Sequence, residues 1–224
     1  MTGVDTFLAG SGPASRAFYQ FMRFLVVTFC RLYLRQSVEG REHVPTSGAF
    51  VLAPVHRSYV DTPIVASATR RRMRYMGKDT LWHRPRFGWM LSALGAFPVS
   101  RGKADREALM RCIEVLRAGE PLVLFAEGER KCGPIVQPLF NGAAYAACKA
   151  NVPIVPVGIG GSERAMPKGA KFVYPRKVHM IIGAPIHPRV DGSGRAPREA
   201  VKELSAELHA EMQRLFDAAQ ARVG

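Results

Sequence analysis

The chain has 224 residues, 47% of them hydrophobic and 22% charged, which suits one α/β domain and excludes a disordered or collagen-like polymer. Lysine and arginine number 32 against 18 aspartates and glutamates, so the formal charge is +14 and the partners to weigh are anionic: nucleic acid, an acidic membrane surface or a phosphorylated small molecule. Four scattered cysteines (Cys30, Cys112, Cys132 and Cys148) form no CxxC pair and read as reduced thiols, not as a disulfide framework.

No secretory signal is expected, because the first fifteen residues lack a basic stretch followed by an apolar one. Residues 14–35 predict an amphipathic helix with Ser15 as its N-cap. At 100° per residue, Arg16, Gln20, Arg23, Arg31 and Arg35 share one arc. Phe18, Phe21, Met22, Leu25, Val26, Phe29 and Leu32 fill a wider apolar one, and no acid interrupts either. Two readings stand: a first helix packed on the core, or an interfacial helix that holds arginines at lipid phosphates. Four arginines at an anionic leaflet contribute roughly 4 kcal/mol and each buried Phe about 1.5–3 kcal/mol, enough for reversible attachment. The uncharged run from Phe24 to Cys30 is far short of the about 20 residues a spanning helix needs.

Beyond it, strands and helices alternate. Ala49–Ala53 is an apolar run stopped by Pro54, hence a buried strand, and a helix is expected from near Ser58 or Asp61 to Thr69. Residues 74–77 predict a strand, 87–94 a short helix closed by Gly95, and 97–100 an extended segment. Residues 104–118 predict a helix, 121–125 a buried strand, 142–150 a helix of small residues, 152–159 and 178–182 strands, and 197–221 a long polar closing helix. This pattern predicts an α/β fold: a single mostly parallel mixed sheet flanked by helices.

Three predicted strand ends carry polar groups. His56 and Asp61 follow the first, Arg101 the second, and Glu127, Glu129, Arg130 and Lys131 the third. Carboxyl ends of parallel strands are where ligands bind, so a histidine, carboxylates and cations there suggest a site that grips an anion and moves a proton. If His56 lies in the strand–helix connection and Asp61 in the first helical turn, the aspartate can hold Nδ1–H and leave Nε2 to accept a proton. The competing reading is that Ser58 or Asp61 simply caps the helix. The run Arg70, Arg71, Arg72 and Arg74 exceeds what capping a helix requires and could bind phosphates. Histidine spacing offers no metal motif, and neither a Walker A, a GxSxG nor a complete dinucleotide fingerprint is present. Nucleic-acid binding is supported by charge alone, without an aromatic platform or a known module, and no such partner is expected.

HRSYVD, GAFPVSR, EGER and VPIVPV occur in that order between His56 and Val157. Together they resemble the glycerolipid acyltransferases, specifically the bacterial PlsC-type 1-acylglycerol-3-phosphate acyltransferases, with a looser likeness from about residue 38 to 182. The resemblance implies transfer of a fatty acyl group from acyl-CoA or acyl carrier protein to lysophosphatidic acid, giving phosphatidic acid. It implies no cofactor beyond the acyl-CoA co-substrate, and a place at the cytoplasmic membrane face, peripheral or monotopic. Carried over by the motifs, His56 is the general base and Asp61 orients it. Arg101, Glu127, Gly128 and Arg130 hold the acceptor phosphate, while Gly95, Phe97 and Pro153 shape the pocket wall. Two positions depart from the common pattern: Val55 stands where the family usually has Asn, and the third motif reads EGER for EGTR. The chain divides into a membrane-associating segment, 1–36, with Arg16, Phe21, Arg23, Phe29 and Arg31 facing an anionic lipid surface, and an acyltransferase domain, 37–224.

Overall fold

A computed structural model describes residues 12–99, 106–191 and 195–224. Helix α1 (Pro13–Leu32) leads into a short strand β1 (Ser37–Glu39). Then come β2 (Val51–Pro54), α2 (Asp61–Val65), β3 (Arg74–Lys78), α3 (Pro85–Ala93), β4 (Ala96–Val99), α4 (Arg106–Arg117) and β5 (Leu122–Val123). The chain closes with α5 (Gly142–Ala150), β6 (Ile154–Gly160), α6 (Ser162–Ala165), β7 (His179–Ile182) and α7 (Arg198–Ala221).

The seven strands form one sheet in the order β1-β7-β6-β2-β5-β3-β4. β6, β2, β5, β3 and β4 are mutually parallel; β7 runs antiparallel to β6, and β1 parallel to β7. A parallel sheet must be covered on both faces. Accordingly β2 and β6 are buried at every position. The general right-handed rule for crossovers from β2 through β4 puts α2 and α3 on one face, where α1 packs against both; the return through α4 and α5 covers the other, where α7 packs against α5.

Helix α7 is less polar in effect than its composition predicts. Val201, Leu204, Leu208, Met212, Leu215, Phe216 and Ala219 form a buried stripe against the sheet. Its backbone crosses β6 so closely that a Cβ on Gly158 would meet the Leu215 main chain, and one on Gly160 the Ala219 carbonyl. Ser15 is not the N-cap of α1: Gly12 takes that place, three residues earlier, and Pro13 follows as the first helical residue, where its fixed φ suits a helix. Helix α2 is one short turn, not a helix to Thr69.

The basic run after α2 is drawn into the fold. Arg74 is buried and pairs with Glu120 at 3.5 Å, and Arg71 donates to the Pro45 carbonyl at 3.1 Å. Both sit at the amino ends of the strands, the edge opposite the polar strand ends.

Candidate active site

β2 and β5 are neighbours, and their connections leave toward opposite faces of the sheet. A crevice therefore opens beyond their carboxyl ends, the usual place for a ligand in an open parallel sheet. His56 stands at the end of β2 and Glu127 just past the end of β5.

The His56 ring stacks on Phe125, with centroids 3.9 Å apart. Its Nδ1 lies 3.1 Å from Asp61 Oδ2. The same oxygen accepts the backbone N–H of Arg57 at 2.7 Å and of Ser58 at 2.6 Å. One oxygen of Asp61 thus ties down the turn before α2 and holds the imidazole; the helix-cap reading is not realised, because α2 begins at Asp61 itself and its N-cap, Val60, has no side-chain cap bond. A carboxylate only accepts, so Nδ1 carries the proton and Nε2 is left as the basic nitrogen.

Glu127 does not face the crevice. It and Arg57 are fully buried, and Arg57 Nη1 donates to both carboxylate oxygens at 2.8 Å. Glu127 Oε1 also accepts the His56 N–H at 3.0 Å, and Oε2 the Gln137 N–H at 3.1 Å. Arg57 donates further to the carbonyls of Gly133 and Ile135, and its guanidinium lies over the Phe216 ring. Glu127 is therefore a strut beneath the histidine, not a phosphate ligand. Charge-assisted bonds on every side are what make such an ion pair tolerable without water. Arg57 is the functional residue that sequence reasoning missed. The available signal was an arginine beside the predicted base with a carboxylate at the neighbouring strand end.

Gly128 follows with φ of 75°, which lets the chain turn outward at once; a Cβ there would strike Phe140. Glu129 is exposed at the rim and ion-paired to Lys131 at 2.7 Å, a hydrogen bond that holds its carboxyl below the usual range. Arg130 lies over the Tyr59 ring, 3.4 Å from its centroid. Arg101 lies outside the described residues.

A cavity of about 750 Å³ runs from His56 between the sheet and α4 and α5. Phe125, Phe140, Tyr75, Met76, Val99, Leu109 and Cys112 give it an apolar wall, and Thr62, Gly128, Glu129 and Asn141 belong to the same lining. Burial pushes the Cys112 thiol up to about 12, so it stays protonated in the cavity wall. The residues expected to form the wall lie elsewhere. Gly95 makes the turn before β4, and Pro153 accepts the Val51 N–H at the amino end of β2, both on the far edge of the sheet. Phe97 is buried in the core; Val99, two residues on and on the same face of β4, is the one that reaches the cavity. Among the described residues no group of three or more His, Cys, Asp or Glu side chains could hold a metal ion.

A family model described as acyltransferase matches residues 35–160, more than half of the chain. The chain belongs to the acyltransferase family. The match contains the His56–Asp61 pair and the whole Arg57–Glu127 strut. A chloroplast 1-acyl-sn-glycerol-3-phosphate acyltransferase of Arabidopsis thaliana is 28% identical over 180 residues, covering 78% of this chain and 50% of that one. The enzyme of the same name from Bacillus subtilis is 27% identical over 183 residues, covering 76% of this chain and 88% of its own. This chain thus spans about half the length of the chloroplast relatives it matches, including the one from Brassica napus, and most of the Bacillus one. The crystal structure of the 1-acyl-sn-glycerophosphate (LPA) acyltransferase PlsC from Thermotoga maritima superposes with a TM-score of 0.75 at 25% identity, over 92% of this chain and 82% of that one.

Proposed function

We propose that the protein is a 1-acylglycerol-3-phosphate O-acyltransferase that moves a fatty acyl group from acyl-CoA to the free hydroxyl of 1-acyl-sn-glycerol-3-phosphate. One observation carries this reading: an aspartate-held imidazole, with Nε2 claimed by no partner among the described residues, on the wall of an apolar cavity of about 750 Å³. The family and the relatives named above supply the reaction class.

A thioester is already activated, so neither a metal nor an acyl-enzyme is required. His56 Nε2 takes the hydroxyl proton as the acceptor oxygen attacks the thioester carbon. The tetrahedral intermediate collapses with loss of the thiolate, which receives that proton from the imidazolium. Asp61 keeps the ring oriented and balances its charge while it is protonated. Arg130, with Arg101 by its motif, grips the phosphate and so holds the acceptor in the crevice beside His56. Lys131 offsets much of the charge of Glu129, so the extra carboxylate at the rim repels a phosphate only weakly.

Membrane attachment through α1 belongs to the same reading. Among the described residues no helix is long and apolar enough to cross a membrane. Yet α1 leaves Phe21, Phe24, Leu25, Phe29 and Leu32 exposed, with Arg16 and Arg31 beside them. An exposed apolar stripe edged by arginines suits an anionic leaflet at the cytoplasmic face. Arg23 is turned inward instead, donating to the Thr69 carbonyl at 3.0 Å. An acceptor panel tests the assignment: lysophosphatidic acid, glycerol-3-phosphate and lysophospholipids with large headgroups, each scored for thiol release from acyl-CoA. Lysophosphatidic acid is expected to give the highest kcat/KM; a preference for a large headgroup would replace the acceptor, and no release with any of them would remove the reading.

A further inference from the structure

The loop between α6 and β7 carries features that the transfer chemistry does not use. Residues 166–177, MPKGAKFVYPRK, hold four cations and no acid. Phe172 at its tip is 75% exposed, and Tyr174 is exposed beside it. A lone surface phenylalanine requires no explanation, but this one is not alone. Tyr33 at the end of α1 donates to the Val173 carbonyl at 2.9 Å, and Arg35 to the Pro175 carbonyl at 3.2 Å. Those bonds fasten the loop to the end of α1, where Leu32 is 77% exposed.

The other end of the loop reaches the active site. Ser58, between His56 and Asp61, donates its hydroxyl to the Met166 carbonyl at 2.8 Å. Lys168 is close enough to Glu129 at the cavity rim for its charge to act on that carboxyl. The topology agrees: the segment leaves the carboxyl end of β6 and returns into the antiparallel β7, so it lies on the same edge of the sheet as His56. The loop is also braced within itself, with the Tyr174 N–H on the Ala165 carbonyl at 2.7 Å and the Ala170 N–H on the Pro167 carbonyl at 3.0 Å. A braced loop can present a fixed hydrophobic tip.

We propose that residues 166–177 form a second bilayer-contacting element, laying Phe172 and Tyr174 among the lipids of an anionic membrane with Lys168, Lys171 and Arg176 at the headgroups. Lys177 is held back by the Arg222 carbonyl at 2.8 Å. An aromatic tip flanked by cations matches the apolar interior and negative surface of such a membrane together. With α1, to whose end it is fastened, it gives the protein one continuous membrane contact, tied through Met166 to the turn that carries His56. The inference builds on the proposed attachment through α1, and its test separates the two.

Cys30, Cys112 and Cys148 are buried and Cys132 is exposed, so a Cys132→Ser background leaves one introduced thiol to label. Phe172→Cys and, separately, Leu32→Cys are labelled with a polarity-sensitive fluorophore and mixed with vesicles of phosphatidylcholine, with or without phosphatidylglycerol. The expected result is a blue-shifted, brighter label at position 172 on the vesicles containing phosphatidylglycerol, reversed by salt. In the otherwise unaltered chain, Lys171→Gln lowers affinity for those vesicles about fivefold, the worth of one cation at an anionic surface. A label at 172 that does not respond, on protein that floats with the vesicles and responds at 32, overturns the inference and leaves the α1 anchor. A response at 172 alone supports the loop and removes the anchor. Protein that does not float with either vesicle removes both.

Discussion

Two ion pairs stand two residues apart at the end of β5, and they have nearly the same length. Arg57–Glu127 measures 2.8 Å and Lys131–Glu129 measures 2.7 Å. The first is fully buried and ties together the His56 backbone, the Gln137 N–H and the Gly133 and Ile135 carbonyls; the second lies at the solvent-facing rim. Distance does not separate their roles; water does. Inside, an unpartnered charge has no solvent to turn to, whereas at the rim water takes over when a partner is lost. On the proposed function, the inner pair holds the turn that carries His56 in place, and the outer one adjusts the charge seen by an arriving phosphate.

Glu127→Leu puts the inner pair under the harshest test. It strands Arg57 in the core and is expected to cost about 3–5 kcal/mol, read as a lowered urea midpoint with an unchanged slope. The double variant Arg57→Met, Glu127→Leu removes both charges and should regain most of that stability, yet with low activity, because the His56 N–H has lost its acceptor. A double variant as unstable as the single would mean that the pair's geometry matters and not its charge. Next comes Arg130→Ala, expected to raise KM for the phosphate acceptor about tenfold with kcat nearly unchanged, as for a group that binds ground state and transition state alike. A matching fall in kcat would place Arg130 at the reacting atoms. The smallest change is Glu129→Gln: the thermal midpoint should stay where it is, and KM for the acceptor should fall slightly as a negative charge leaves the rim. A large loss of stability would erase the contrast between the two pairs.

Much of the fold was legible in the sequence because apolar runs and their stops report burial directly. Residues 142–150 form α5 as expected, since small residues closed by Asn151 in the left-handed conformation leave no alternative register. β1 was not legible: three residues of β1 owe their extended state to pairing with β7, 142 positions away, and carry no local pattern. The closing helix was misread as polar because a stripe one residue wide per turn is diluted by Glu, Lys and Arg on the other faces. At the site, His56 and Asp61 were readable from spacing and motif. The inward turn of Glu127 was not, because motif order says which residues gather and not which way a carboxylate faces. The cavity wall was misplaced for a related reason. Gly95 and Pro153 belong to motifs for backbone geometry at the amino ends of strands, while much of the lining comes from α4, α5, β3 and the residues around β5, which carry no motif.

The most direct measurement compares wild type with His56→Ala, each supplied with acyl-CoA and lysophosphatidic acid, scoring released thiol and phosphatidic acid together and checking the fold by circular dichroism. The account predicts equal amounts of the two products from the wild type and a turnover about 10²–10⁴-fold lower in the folded variant. Equal turnover in both proteins would contradict it.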